Sequence, residues 1–367
     1  MNKTQNQYIP DSVSPPGETL EETLEERGMT RVDLARRIEM SRKHVKQIID
    51  GNAPISHETA LKLERALGIP ARFWNKREEH YRDFLARKAE DEKLEEQKAW
   101  LKNFKHIKKM RDYGWLPSTQ GDVGQIRAVL DFFGVATPNA WEEEWNAVQV
   151  QYRRSQTHET DFYALAAWLR RGELQAQAID CAPFDEAKFR EVVKQVRGLT
   201  TEPPEVFQRK LPELCAECGV AVVFVPELPK TASGAARWLT PSKALIQLSL
   251  RYKTDDHLWF TFFHEAGHIL LHAKKDIFIE TDGKDLSDEE EGANRFAART
   301  LIPDRDYRAF VARRDFHKTA IERFAEQQGI APGIVVGRLQ HDGYLRFSHC
   351  NDLKQRFEWG SPGKGKE

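Results

Sequence analysis

Two histidines and a glutamate with the spacing of a metal site lie in the C-terminal half of the chain. The stretch His264-Glu265-Ala-Gly-His268 places two imidazoles four residues apart, so a helix would present both on one face. Imidazoles at this spacing can bind one Zn²⁺, and the glutamate between them can take a proton from an attacking water. The pattern predicts a zinc-dependent hydrolase, with His264 and His268 as metal ligands and Glu265 as the catalytic base.

The residues around this pentapeptide predict a buried helix. From His257 to His272 the sequence is His-Leu-Trp-Phe-Thr-Phe-Phe-His-Glu-Ala-Gly-His-Ile-Leu-Leu-His, which is apolar around most of the helix circumference. Ionisable groups are costly there unless they are paired or bind a metal. Gly267 predicts the close approach of another backbone. His272 would lie about 12 Å along the axis from His264, so we expect it to contact a ligand or to lie at the surface.

A catalytic zinc site also needs a third protein ligand. We expect it from the next predicted helix, residues 288–301, which begins with the adjacent Glu289, Glu290 and Glu291. The phase of the helix places Glu290 on the side of its buried stripe, Glu289 nearer the edge, and Glu291 more outward. The expected stripe consists of Ala293, Phe296, Ala297 and Leu301. Helix phase therefore favours Glu290, with Glu289 and Glu291 as alternatives.

A second pattern, near the N-terminus, is typical of a helix-turn-helix. Thr30 and Ser41 can cap two short helices whose inner stripes would be Leu34, Ala35, Ile38 and Val45, Ile48, Ile49. Residues 31–46 hold six cations against two carboxylates, so DNA contact is expected here rather than across a chain whose net charge is −1. A recognition helix presents such residues to bases and phosphates. The candidate DNA-binding residues are Ser41, Arg42, Lys43, His44, Lys46 and Gln47.

Residues 17–88 resemble the Xre-type helix-turn-helix of the HigA antitoxin family. The resemblance rests on Ser41-Arg-Lys-His-Val-Lys-Gln-Ile-Ile-Asp-Gly51, on Ile55-Ser-His-Glu-Thr-Ala-Leu-Lys-Leu-Glu-Arg-Ala-Leu-Gly68, and on Pro70-Ala-Arg-Phe-Trp74. It implies binding to double-stranded operator DNA, usually as a homodimer. It also makes a toxin a candidate partner.

Residues 210–303 resemble the ImmA/IrrE family of metallopeptidases. This family follows HExxH with a glutamate, Ala-Asn-x-Phe-Ala and a Leu-x-Pro ending, which match Glu290-Glu-Gly-Ala-Asn-Arg-Phe-Ala297 and Leu301-Ile-Pro303 here. The resemblance implies Zn²⁺-dependent peptide hydrolysis and selects Glu290 as the third ligand. The strand predicted at residues 244–249 could pair with an extended substrate. Arg237, Tyr252 and Arg295 are the candidates for stabilising the oxyanion.

Composition narrows the setting of the protein. No apolar run reaches transmembrane length, and the polar N-terminus lacks the apolar core of a signal peptide. The four cysteines fit a reducing compartment. Cys215 and Cys218 form a lone CxxC pair, which we interpret as two structural thiols near a helix end. We expect a cytoplasmic protein.

The overall pattern predicts an α+β fold that is mostly helical, with a small sheet beside the HExxH helix. Strands are predicted at residues 219–225, 235–239 and 244–249, and a polar loop at residues 273–287. The expected order is a flexible arm (1–16), a helix-turn-helix domain (17–88), a helical linker or middle domain (89–209), a zincin-like metallopeptidase core (210–303), a C-terminal helical extension (304–359) and a disordered tail (360–367).

These features support two competing functions. The first is a DNA-binding transcriptional regulator that carries a zinc-dependent metallo-endopeptidase and cleaves itself or a partner regulator. The second is an antitoxin-like DNA-binding repressor whose metal domain is a non-catalytic sensor or scaffold. A purely structural zinc site is disfavoured because such a site needs no catalytic base at Glu265.

Overall fold

The computed structural model describes residues 13–154, 161–272, 274, 278–280 and 287–360. Most of the predicted arm and tail lie outside these ranges. The chain divides into two compact units, Met1–Lys98 and Ala99–Glu367. The predicted α+β, mostly helical class is confirmed. Within the described ranges, no helix has the length and apolarity needed to cross a membrane.

The first unit is all α-helical. Its helices are α1 (Pro16–Glu26), α2 (Arg31–Arg37), α3 (Arg42–Ile49), α4 (His57–Leu67) and α5 (Ala71–Glu96). Helices α2 and α3 begin where predicted, because Thr30 accepts a hydrogen bond from the Asp33 amide and Ser41 accepts one from the His44 amide. Both inner stripes are buried in one core. A Cβ on Gly17 would lie 2.3 Å from the carbonyl oxygens of Ile48 and Ile49, so glycine lets α1 cross α3 closely.

The second unit surrounds a small sheet with helices. Its first part is helical and consists of α6 (Lys98–Leu101), α7 (Ile107–Asp112), α8 (Gly121–Phe133), α9 (Pro138–Arg154), α10 (Phe162–Gln177), α11 (Glu186–Gly198) and α12 (Pro204–Ala216). Strands β1 (Val220–Phe224), β2 (Gly234–Thr240) and β3 (Lys243–Leu248) follow, then α13 (Asp255–Leu271) and β4 (Phe278–Glu280). The described chain continues with α14 (Asp288–Leu301), α15 (Asp304–Ala312), α16 (Lys318–Gln328) and α17 (Pro332–His341).

The sheet has the strand order β1-β3-β2-β4. Strand β3 runs parallel to β1 and antiparallel to β2, and β2 also pairs with β4. The three predicted strands are confirmed, but the prediction of a loop throughout residues 273–287 is wrong, because β4 lies within it. A strand of three residues is too short to show a period in the sequence. The proposal that β3 pairs with a substrate is also wrong, because both of its edges are already hydrogen-bonded within the sheet.

Helices cover both faces of this sheet. Helix α13 packs on the face formed by alternate residues such as Ala236, Ile246 and Leu248. Helix α10 packs on the opposite face, where the buried Gln247 side chain donates to the Trp168 carbonyl oxygen at 2.7 Å. Residues of the helical stretch before β1 therefore form one layer of the unit that carries the HExxH helix.

Candidate metal centre and recognition helix

Helix α13 holds the HExxH residues in the interior of the second unit. His264, Glu265 and His268 are each at most 1% exposed, so the predicted burial of this helix is confirmed. Helix α14 lies directly against α13, and a Cβ on Gly267 would be 3.2 Å from the Ala293 Cα. The close backbone approach predicted from Gly267 is therefore present, and it brings the start of α14 to the two histidines.

Glu290 lies with His264 and His268 in a group of three side chains that could hold a metal ion. Its Oε2 lies 3.1 Å from Nε2 of His264, and its Oε1 lies 3.3 Å from Nε2 of His268. The two Nε2 atoms are 2.9 Å apart, and the candidate ligand atoms all lie within 4.8 Å of one another. By contrast, Glu289 is exposed and Glu291 pairs with Arg295 at the surface. Of the three adjacent glutamates, the structure brings Glu290 to the histidines.

The other ring nitrogen of each histidine also has a partner. His264 Nδ1 lies 3.0 Å from Oδ1 of Asn294, and His268 Nδ1 lies 2.9 Å from Nδ1 of His272. Since an amide oxygen only accepts, we assign the proton of His264 to Nδ1. The same assignment for His268 lets it donate to His272. Both Nε2 atoms then keep a lone pair that faces Glu290, which is the arrangement of a metal-binding pair.

Local electrostatics also suit a cation. Burial lowers the pKa of His268, which favours the neutral imidazole that can bind a metal. Burial by itself would raise the pKa of Glu290, but hydrogen bonds from His264 and His268, in the form that carries protons at Nε2, lower it to about 2. A cation in place of those protons would likewise keep the carboxylate ionised. The group can therefore offer two ring nitrogens and one ionised carboxylate to a cation. Phe278 of β4 stacks on the His268 ring at 4.1 Å between centroids and shields it from one side.

Glu265 lies against strand β2. A Cβ on Gly234 would be 2.7 Å from Oε1 of Glu265 and 2.3 Å from Cγ2 of Thr261. Only glycine leaves room at this position for the helix and the strand to pack so closely. The main chain of β2 thus lies directly beside Glu265, the candidate base.

Sequence reasoning missed several residues of the site. Asn294 occurs in the Ala-Asn-x-Phe-Ala stretch, one turn after Glu290, but nothing in its spacing indicated that it contacts His264. His272 falls within one of its two expected roles, since it contacts the His268 ring. Phe278 lies in the stretch that was predicted to be a loop. The contacts of Asn294 and Phe278 join elements that are distant in sequence, whereas His272 lies one helical turn after His268.

The structure also separates the oxyanion candidates. Arg237 lies on the sheet face away from α13, where it donates to the Leu169 carbonyl oxygen at 3.1 Å, so that candidate is wrong. Arg295 is exposed and pairs with Glu291. Tyr252 stacks on His257 at 4.2 Å, two helical turns before His264. None of these contacts directs a cation or hydroxyl to the metal-binding group.

The CxxC pair is buried. Cys215 and Cys218 are both fully buried, and burial raises the pKa of Cys218 to about 11. Its thiol donates to the Cys215 carbonyl oxygen at 3.1 Å. Both thiols are therefore protonated and poorly reactive, in line with the structural role expected of them.

In the first unit, helix α3 presents a basic surface. Arg42, Lys43 and Lys46 are exposed, and His44 and Gln47 are partly exposed. On α2, Arg31 and Arg36 pair with Glu21 and Asp33. Among the described residues, no carboxylate forms such an ion pair with the three cations of α3. The positive charge of residues 31–46 is thus concentrated on α3, the helix predicted to read DNA.

Comparisons with known proteins give a separate match in each of the two units. Residues 20–74 match the family model HTH_3, described as helix-turn-helix, and residues 215–339 match Peptidase_M78, described as an IrrE N-terminal-like domain. No curated protein matches the sequence. A HigA-family addiction module antidote protein from Coxiella burnetii is 30% identical over 23% of this chain and 91% of its own, with a TM-score of 0.21.

The Pseudomonas aeruginosa antitoxin HigA, solved with the higBA promoter, is similar over the same share of the chain. It is 29% identical over 23% of this chain and 94% of its own, with a TM-score of 0.22. The family models are thus the findings that cover both halves of the chain. The protein is thus similar to helix-turn-helix domains over residues 20–74 and to IrrE N-terminal-like domains of the Peptidase_M78 family over residues 215–339.

Proposed function

We propose that this protein is a DNA-binding transcriptional regulator that carries a zinc-dependent metallo-endopeptidase. The observation that carries the proposal is the convergence of His264, His268 and Glu290, with Glu265 next to His264 in the sequence. The Peptidase_M78 and helix-turn-helix matches support the two halves of the proposal.

The three side chains suit Zn²⁺. Zinc in catalytic sites takes three protein ligands and keeps one position open, and two imidazoles with one carboxylate form such a set. Here the lone pairs of both Nε2 atoms and an ionised carboxylate face one another within hydrogen-bonding distance. A cation at this point would remove the repulsion between them. When bound, zinc acidifies the attacking water and polarises the scissile carbonyl.

The protein's own residues would perform the proton transfers. Glu265 accepts the proton of the attacking water and then delivers it to the leaving amine. Asn294 and His272 hold the two histidines in the tautomer that exposes Nε2. An extended substrate would pair with β4, the strand at the end of the sheet beside His268, since β3 is enclosed.

The first unit would recognise operator DNA through α3. Arg42 and Gln47 can contact base edges, while Lys43 and Lys46 suit phosphates. Ser41 and His44 lie at the N-terminal end of the same helix, where such contacts concentrate. Helix-turn-helix proteins commonly read two half-sites, so we expect a homodimer on a palindromic site. Binding to operator DNA would place the protein in the cytoplasm.

Glu265→Gln tests the peptidase half. This variant should retain one zinc per chain but lose cleavage of the protein itself and of regulators encoded beside its gene. The exposed Glu289→Gln is the matched control and should retain both properties. His264→Ala and Glu290→Ala should lose zinc. If the zinc-loaded wild type cleaves neither kind of substrate, the peptidase proposal fails and the non-catalytic sensor or scaffold is favoured.

Arg42→Ala combined with Lys46→Ala tests the DNA half. Binding to DNA from upstream of the protein's own gene should weaken, and loss of the Lys46 phosphate contact should lower the slope of log affinity against log salt by about 0.9. Lys62→Ala combined with Arg65→Ala removes the same charge from α4 and serves as the control. Equal binding by both double variants would refute the assignment of α3.

A further inference from the structure

A second basic surface lies in the unit that carries the metal site. Between Ala99 and Gly114 the only carboxylate is Asp112, and the cations are Lys102, Lys105, Lys108, Lys109 and Arg111. The apolar residues of this segment, Leu101, Phe104, Ile107 and Met110, are buried. A cation follows each of these four residues directly, and Lys102, Lys105 and Lys108 are exposed. The buried contacts of α6, of α7 and of the residues between them therefore hold these lysines outward.

Most cations of this surface have no ion-pair partner among the described residues. Many exposed cations form ion pairs one helical turn away, as Arg190 does with Glu186 and Lys194 with Glu191. In the described part of the chain, Lys105 is the only member of the basic surface with a carboxylate in range, Asp161 at 3.8 Å. Lys109 lies over the Tyr113 ring at 5.4 Å. The surface therefore retains most of its positive charge for a partner.

The chemistry of this surface fits the phosphates of duplex DNA. Lysines suit phosphate oxygens, which give sequence-independent contacts. Proteins that hold single strands add exposed aromatic rings on which bases stack. Here Trp100 and Phe104 are buried, and Tyr113 is engaged by Lys109 and by the Glu227 carbonyl oxygen. Duplex DNA is therefore favoured over single-stranded nucleic acid.

We propose that Lys102, Lys105 and Lys108 bind the phosphate backbone of duplex DNA, as a contact additional to that of helix α3. The inference rests on the proposed DNA-binding function. It adds that the metal-site unit itself contacts DNA. These contacts strengthen binding to any duplex sequence and raise its dependence on salt.

The test uses the full-length protein and two duplex probes, one from upstream of its own gene and one of shuffled sequence. The triple variant Lys102→Gln, Lys105→Gln, Lys108→Gln removes three charges. The slope of log affinity against log salt should fall by about 2.7 on both probes. The variant's loss of affinity relative to the wild type should therefore be about 40-fold larger at about 50 mM salt than at about 200 mM salt.

Two further triple variants control the experiment. Lys194→Gln, Arg209→Gln, Lys210→Gln removes the same charge from α11 and α12 and should keep the wild-type slope. Replacement of Lys102, Lys105 and Lys108 by arginine keeps the charge and should also keep the slope. If folding of the glutamine triple variant is impaired, the single variants should each lower the slope by about 0.9.

The outcomes separate this inference from the proposed function. An unchanged slope in the glutamine variants overturns the inference while leaving α3 as the DNA reader. A wild type that binds both probes equally would refute operator recognition, yet a reduced slope in the glutamine variants would still support the second surface.

Discussion

The contact between Gly234 and helix α13 predicts a specific effect of a single methyl group. In Gly234→Ala the new Cβ would lie 2.3 Å from Cγ2 of Thr261 and 2.7 Å from Oε1 of Glu265. Carbon atoms pack at about 3.5–4.0 Å, so Thr261 would have to move by about 1.2 Å or more. Overpacking of a core costs about 1–3 kcal/mol. For a unit of this size, that lowers the melting temperature by about 2–12 °C.

Calorimetry can measure this effect. The unfolding transition to follow is the one whose melting temperature rises when Zn²⁺ is added, because that transition belongs to the unit with the metal site. Gly198→Ala is the matched control, since a Cβ there meets nothing within 4 Å. That change should raise stability by about 0.4–1 kcal/mol because it restricts the unfolded chain. The zinc content of Gly234→Ala should remain one per chain, because no metal ligand lies in the contact.

A double variant tests the assigned cause. Thr261→Ser removes Cγ2, the nearest atom, so Gly234→Ala with Thr261→Ser should recover part of the lost stability. The interaction between the two changes should reach about 1 kcal/mol or more. Strictly additive effects, or a Gly234→Ala variant as stable as wild type, would show that β2 does not pack on α13 in this way.

Two other predictions concern the residues around α13. Asn294→Ala and His272→Ala should each weaken Zn²⁺ binding about 10–100-fold in chelator competition, because each removes the partner of a ligand's Nδ1; Arg295→Ala is the control, and unchanged affinity would contradict the assignment. Burial, and then the charge of Asp256, raise the pKa of Asp255 from 3.8 to about 7. The folded state thus holds this proton more tightly than the unfolded state does. The stability contributed by the protonated Asp255 carboxyl is fully present below about pH 4 and is lost as the pH rises through about 7. Melting curves of Asp255→Asn should show a weaker pH dependence than wild type, and identical curves would refute this account.

Much of the fold could be predicted because its signals are local. Caps at Thr30 and Ser41, together with helical periodicity, defined the two helices of the helix-turn-helix. The apolar run around His264 and His268 predicted a buried helix with two imidazoles on one face. Three β-branched or alternating runs predicted β1, β2 and β3. In each case, neighbours within a few residues largely determine the structure.

The candidate site was only partly predictable. Helix phase indicated the side of α14 on which Glu290 lies, since phase is a property of one helix. It could not measure the distance to His264, because that distance depends on the packing of α14 against Gly267. The error at Arg237 has a similar origin. A strand pattern shows that alternate residues face opposite ways, but it does not show which face receives α13.

The sequence by itself therefore determined the chemistry that is available: two histidines and a glutamate on one buried helix, and a basic helix behind a serine cap. Tertiary structure decided which distant groups meet them, namely Glu290, Asn294 and Phe278 at the histidines and Gly234 at Glu265. It also enclosed β3 and placed β4 at the end of the sheet. Helical turns and caps depend on interactions over a few residues, whereas strand order and helix contacts depend on how the whole core packs.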